Sequence, residues 1–189
     1  YATGMYSATG RSVERLLNCV GGYLPMYGDY STGMHQYVMP FMYGIGVSPY
    51  ENISASSVDQ AQNADLVLMF GNSPADNRMG GANVVWDYNT VREAGPEIIH
   101  IDYRLNETAA GYPSEWLPIR TGTDAALVAG IAHELITNDW VDLDFLHKYC
   151  VGYDEETMPA SAKGQNKSYH DYIMGLGYDK VEKTPEWAV

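Results

Sequence analysis

Three short polar segments carry the residue types that hold a phosphorylated ligand. The first is Gly71-Asn72-Ser73-Pro74-Ala75-Asp76-Asn77-Arg78. Gly71 lets a ligand approach the backbone. The Asn72 amide can donate to a phosphate, and a predicted helix N-terminus just beyond offers unpaired N–H groups. The second is Asp102, with Arg104 close behind. An acid at this place in a dinucleotide fold accepts hydrogen bonds from ribose hydroxyls. The third is Arg120-Thr121-Gly122-Thr123-Asp124. There Asp124 can accept two donors from a guanine edge, and Arg120 can meet phosphate.

Each segment also has a plainer explanation. Gly71-Asn72 can be an ordinary turn, Asp102 can pair with Arg104, and Thr123 or Asp124 can simply cap a helix. Taken together, polar loops at successive strand ends favour a nucleotide-like ligand, because open α/β sheets bind ligands there. The chain has no GxGxxG and no GxxxxGK[ST], which disfavours ordinary NAD and ATP sites. No Ser-His-Asp spacing stands out. His133 reads as structural within a helix, whereas His35, in an aromatic stretch, is a weaker candidate for contact with a bound group.

The elements that position these loops follow from the apolar pattern. Asp65–Phe70 is a continuous apolar run ending at Gly71, which predicts a buried parallel strand. A helix is expected over about 80–94, stopped by Gly95-Pro96, and Glu97–Asp102 is a second buried strand. Strand, helix and strand form a βαβ unit, and residues 116–119 add a third extended piece. A helix from Thr123 or Asp124 to Thr137 places Leu127, Ile131 and Leu135 on one stripe. A further helix starts at Asp139 or Asp142, with Leu143, Leu146 and Cys150 inward, so Cys150 is expected to be a core thiol. Ser57 is expected to cap a short helix. The fold class is α/β, a Rossmann-like three-layer βαβ domain with a parallel sheet.

The chain is uneven. Residues 1–50 hold four charged side chains (Arg11, Glu14, Arg15 and Asp29) but eight Tyr, eight Gly and five Met. This Gly/Tyr-rich segment is expected to line something buried or pack under a neighbouring domain. Its clear helix, 11–20, sets Val13, Leu16, Leu17 and Val20 on one face. Gly21-Gly22 ends it, and Cys19 is expected to pack. The expected organisation is therefore 1–50 as an active-site segment, 51–150 as the nucleotide-binding α/β region and 151–189 as a polar extension. The net charge of −13, with 11 Lys and Arg against 24 Asp and Glu, argues against a nucleic-acid partner. Neither Cys lies in a CxxC, so no zinc or iron–sulfur motif is visible. The first residue is Tyr1 and no apolar run of membrane-spanning length occurs, so a processed chain or a fragment is expected.

At the three loops the sequence resembles the molybdopterin oxidoreductases, the dimethyl sulfoxide reductase superfamily. The stretches that carry this are 69–74, 99–104 with Glu107-Thr108-Ala109, and 116–127. The family often has Pro where Tyr103 and Thr121 stand here. Residues 27–33, 144–152 and 183–187 are similar to the anaerobic dimethyl sulfoxide reductase branch. The resemblance implies molybdenum held by bis(molybdopterin guanine dinucleotide). Gly71, Asn72, Pro74, Asp102, Arg104, Arg120, Gly122 and Asp124 would bind cofactor, and Ser31 would be the protein ligand to molybdenum. Without the resemblance, Ser31 reads as a helix cap before Met34–Val38.

What the resemblance implies for activity is two-electron reduction of an S-oxide or N-oxide, with Tyr23, Tyr27 or Tyr30 among candidates to line the cavity. It further implies a missing N-terminal [4Fe-4S] region, an iron–sulfur partner subunit, a membrane-anchor subunit, and twin-Arg export to the periplasmic face of the cytoplasmic membrane. A cytoplasmic location stays open. Rival readings are a selenate, nitrate or trimethylamine N-oxide reductase, or a non-catalytic nucleotide-binding module. Ser at position 31 argues against branches whose ligand is Cys, selenocysteine or Asp.

Overall fold

Gly21 and Gly22 terminate the first helix as their residue type allows. Both take left-handed backbone, at φ 117° and 95°, and the Gly22 N–H bonds to the Leu17 carbonyl at 2.9 Å. This helix, α1 (Ala8–Cys19), belongs to the computed structural model, which describes residues 8–24, 38–42, 57–77, 83–111 and 114–189. The chain divides into two units, Tyr1–Ser56 and Ser57–Val189. In the first unit, Val13, Leu16 and Val20 are exposed. So is Cys19, which corrects the expectation that it packs. The apolar face beside which Cys19 lies is itself exposed in this unit, so it offers the thiol nothing to pack against. The expected boundary at residue 50 lies outside the described residues.

The second unit opens with a 3-10 helix, Val58–Asn63. Ser57 precedes it in extended backbone, but its hydroxyl makes no bond to the helix N–H groups. Then come β1 (Leu66–Phe70), α2 (Val84–Ala94), β2 (Glu97–Asp102), α3 (Glu107–Ala110), β3 (Glu115–Pro118), α4 (Asp124–Thr137), α5 (Leu143–Tyr149), α6 (Tyr169–Ile173) and α7 (Pro185–Ala188). The sheet order is β1-β2-β3. Both pairings are parallel, with Phe70 opposite Ile101 and Asp102 opposite Pro118. The expected βαβ unit is present, and Gly95 (φ 95°) closes α2. The parallel register sets all the strand C-termini level at one edge, so the loops that follow them are neighbours.

Side chains alternate along a strand, and here only one face of β1 is buried. Met69 packs with Ile98, Tyr88 and Val91, flanked by Val67 and Ala61. Leu66, Leu68 and Phe70 point the other way and are exposed. The strand was expected to be buried throughout, since it is apolar at every position. An unbroken apolar run establishes that both faces tolerate burial, not that this chain covers both.

Helix α4 departs from expectation in a similar way. Its buried residues are Ala129, Gly130 and His133, while Ile131 and Leu135 of the predicted stripe are exposed. The helix is apolar on most sides, so its period predicts a helix without selecting the buried side. The small residues win because α7 crosses them: a Cβ on Gly130 would stand 2.9 Å from the Ala188 Cβ. Helix α5 is capped by Asp142, whose carboxylate accepts from the Phe145 N–H at 2.9 Å. Leu143 is exposed. Cys150 is only half-buried, in the wall of an apolar cleft with Leu135, Leu146 and Tyr153, rather than in the core. Beyond Gly152 the chain is mostly turns, with Tyr153, Met158 and Ile173 buried among them. Among the described residues no helix is long and apolar enough to cross a membrane.

Candidate functional site

The loop after β1 is shaped by its own short side chains. Gly71 takes φ 55° and its N–H bonds to the Ile101 carbonyl at 2.9 Å, which pins the loop's start to β2. The Ser73 hydroxyl donates to Asp76 Oδ2 at 2.6 Å. The N–H groups of Asp76 and Asn77 both reach the Ser73 carbonyl, at 3.1 and 2.8 Å. Thr108, from α3, accepts from the Ala75 N–H at 3.0 Å and lies 2.9 Å from Ser73 Oγ. Because Ser73 spends its only hydroxyl proton on Asp76, Thr108 is the donor in that last contact. Hydrogen bonding with the Glu107 carboxyl and from Ser73, with Arg104 nearby, holds the Asp76 carboxyl below the usual carboxylate range.

Asp102 ends β2 and is 7% exposed. Its Oδ2 accepts from Asn106 Nδ2 at 2.8 Å, and its Oδ1 meets the Arg104 backbone N–H at 3.4 Å. The simple alternative, an ion pair between Asp102 and Arg104, is not formed. The Arg104 guanidinium turns instead to Asp76 at 3.2 Å and Glu107 at 3.9 Å. Beneath, His100 is fully buried, with Nε2 2.9 Å from the Tyr88 hydroxyl. Burial pushes its pKa down, against the opposing pull of Asp102, so the ring is neutral at pH 7.

The loop after β3 turns at Gly122, with φ 82°. The Thr123 N–H and hydroxyl both donate to the Arg120 carbonyl, at 3.2 and 2.7 Å. That hydroxyl therefore does not cap α4, and no side-chain cap bond is made there. Asp124 is the first residue of the helix and is exposed.

These loops enclose one cleft of about 570 Å³, lined by Gly71, Asn72, Asp102, Arg104, Gly122 and Asp124. That volume lies within the range of small-molecule sites. Two residues singled out from sequence are not in its lining. Pro74 is buried, and Arg120 is exposed between the lining residues Ile119 and Thr121. Ser31, His35, Tyr27 and Tyr30 lie outside the described residues, and Tyr23 is exposed. Sequence reasoning overlooked Asn106 and Thr108, which hold Asp102 and the first loop. The signal was there in part: Asn before a short helical run is a capping pattern, and the Asn106 side chain accepts from the Ala109 N–H at 2.9 Å.

The cleft can be tested against a nucleotide. A Cβ on Gly71 or on Gly122 would meet nothing within 4 Å, so both glycines border open space. Asp76, Asp102 and Asp124 share the lining with Arg104, which is paired with Asp76 at 3.2 Å. A lining so rich in acceptors suits the donor-rich base and sugar of a nucleotide rather than its phosphates.

Residues 2–166 match the family model described as molybdopterin oxidoreductase. The chain is 47% identical to the dimethyl sulfoxide reductase DmsA of Escherichia coli (strain K12), over 93% of this chain and 21% of that relative. It is 44% identical to DmsA of Haemophilus influenzae, again over 93% and 21%. Identity to a trimethylamine-N-oxide reductase of Vibrio cholerae is 28%, over 98% of this chain and 22% of that relative. The chain thus spans about a fifth of the length of the curated relatives it matches.

Proposed function

The chain belongs to the molybdopterin oxidoreductase family, and on that premise we propose that it is the part of a molybdenum-dependent S-oxide or N-oxide reductase that grips one molybdopterin guanine dinucleotide. The observation that carries this is the convergence of the three strand-end loops on one acceptor-rich cleft. The bound group supplies the two-electron redox chemistry. The work of this chain is to bind and orient it. Asp102 accepts from the ribose hydroxyls, and Asp124 accepts from the guanine edge. The Asn72 amide meets phosphate, and Arg104, held by Asp76, borders the same space.

An S-oxide substrate is favoured over an N-oxide by the higher identity to dimethyl sulfoxide reductases than to trimethylamine-N-oxide reductases. Ser31 is proposed as the protein ligand to molybdenum. A [4Fe-4S] region, an iron–sulfur subunit, a membrane anchor and export to the periplasmic face complete the proposal, and they rest on the family resemblance. The test is the Asp124→Ala variant of the full-length protein. Its molybdenum and its acid-released guanine nucleotide should both fall, because a lost acceptor leaves buried donors unpaired at about 1–3 kcal/mol. Normal content of both would return Asp124 to a helix-end role.

A further inference from the structure

We propose that Asn106 and Thr108, neither of which lines the cleft, are positioning residues that set its first two loops for the ligand. The inference rests on reading the cleft as a nucleotide site. Both residues belong to the start of α3, a helix of four residues, and both are buried, at 1% and 5% exposure.

Asn106 has its orientation decided for it. Its Oδ1 must face α3, where it accepts from the Ala109 N–H at 2.9 Å. Its Nδ2 is thereby turned to Asp102 Oδ2, at 2.8 Å. With both partners buried, water does not compete for this bond. The Asp102 carboxylate is held in one rotamer by one oxygen. Among the described residues its other oxygen has only the Arg104 N–H at 3.4 Å. A carboxylate has roughly four acceptor positions, so capacity for a pair of donors is left over, and Asp102 borders the cleft. The geometry is that of an acceptor pre-aimed at adjacent hydroxyls, its aim set by a neighbour that never touches the ligand.

Thr108 does the same for the first loop. It accepts from the Ala75 N–H at 3.0 Å and donates to Ser73, 2.9 Å away. Ser73 in turn donates to Asp76, and Asp76 holds Arg104. One helical turn thus fixes the loop that presents Gly71 and Asn72 and the acid that ends β2, so their spacing is set together.

The test separates positioning from capping. Asn106→Asp and Asn106→Ser both keep a good capping oxygen and both remove the amide Nδ2 that reaches Asp102; Asp has no donor and adds a like charge, while the Ser hydroxyl is uncharged and stops one bond short of the amide's position. Thr108→Val removes the second clamp at constant shape, and Thr108→Ser restores its hydroxyl. Each is made in the full-length protein, beside Asp102→Ala and Asp124→Ala. The readouts are acid-released guanine nucleotide per protein and amide-exchange protection at Ala109. The expected result is a fall of about tenfold in nucleotide for Asn106→Asp, Asn106→Ser and Thr108→Val, with Ala109 still protected in the Asn106 variants and content recovered in Thr108→Ser. Full nucleotide content in Asn106→Ser or in Thr108→Val would overturn the proposal, as would loss that occurs only with loss of Ala109 protection. If Asp102→Ala and Asp124→Ala themselves keep full content, the reading of the cleft is what has failed.

Discussion

The ammonium of Lys183 sits 4.3 Å from the centre of the Tyr172 ring. It also donates to Asp179 Oδ2 at 2.7 Å and to the Val181 carbonyl, and the Trp187 ring is 5.2 Å away. Only 1% of the residue is exposed. The hydrogen bond from Lys183 is the main reason the Asp179 carboxyl lies below the usual range. A buried ammonium is tolerated only when so fully partnered. Lys183→Met keeps the stem and removes every polar partner. It should weaken the 169–188 segment by about 2–4 kcal/mol, read as faster exchange of the residue 183 N–H, which is bonded to the Ile173 carbonyl at 2.8 Å. Unchanged exchange would mean the cage contributes nothing.

Gly130 lets α7 close on α4. A Cβ there would stand 2.9 Å from the Ala188 Cβ and 3.7 Å from the Pro185 Cα, and neither atom sits at the end of a flexible side chain. Gly130→Ala raises helix propensity by about 1 kcal/mol, but overpacking costs about 1–3 kcal/mol, and the second effect should win. The Trp187 emission of this variant should shift toward that of a more exposed indole. Gly130→Ala with Ala188→Gly removes the clash and should recover the native spectrum. Failure of the double variant to recover would place the cost elsewhere.

His133 links α4 to the turn before α7, with Nε2 2.8 Å from Glu182 Oε1 and Nδ1 3.5 Å from Glu134. Its pKa is raised, first by the hydrogen bond to Glu182 and, against some burial, by Glu134. A raised folded pKa means the stabilisation is fully present below the unfolded value near 6.5 and is lost as pH rises through the folded value. Protection of the amides around 174–182 should therefore decline on going from mildly acidic to mildly alkaline buffer. Glu182→Gln should flatten that decline and lower the His133 midpoint seen by NMR. A midpoint at or below 6.5 in the unaltered protein would count against it.

The strands and the cleft were legible because local pattern alone decides them. The short apolar run Leu66–Phe70 and the Ile-rich segment Glu97–Asp102, with a helical stretch between them, read as strands of a βαβ unit, and Gly71, Asp102 and Gly122 then fall at or just past strand ends. What stayed illegible depended on partners distant in sequence. Nothing local to α4 says that Gly130 is buried and Ile131 exposed; that follows from α7, more than fifty residues later. Asn106 looks like a cap and is one. Its second role follows from the turn that brings it back beside Asp102. Lys183 looks like a solvated charge until the Met174–Glu182 bridge folds it against Tyr172.

Ser31 is the residue on which the proposed chemistry most depends, and it lies outside the described residues. It stands between Tyr30 and Gly33 in a segment almost free of charge, where a hydroxyl needs a partner. A helix cap and a metal are the two partners on offer, and substitution separates them. Loss of a cap costs about 0.5–2 kcal/mol of stability and spares the chemistry. Loss of a hard oxygen ligand, or its exchange for a softer thiolate, changes the metal's electronics and potential. Ser31→Ala and Ser31→Cys in the full-length protein should therefore abolish oxide reduction and alter the molybdenum(V) paramagnetic resonance. Guanine nucleotide content should stay near normal, because the cleft of Asp102 and Asp124 is untouched. An unchanged resonance with near-normal turnover would remove Ser31 from the metal and leave it as a cap, and the assignment to a serine-ligated reductase would go with it.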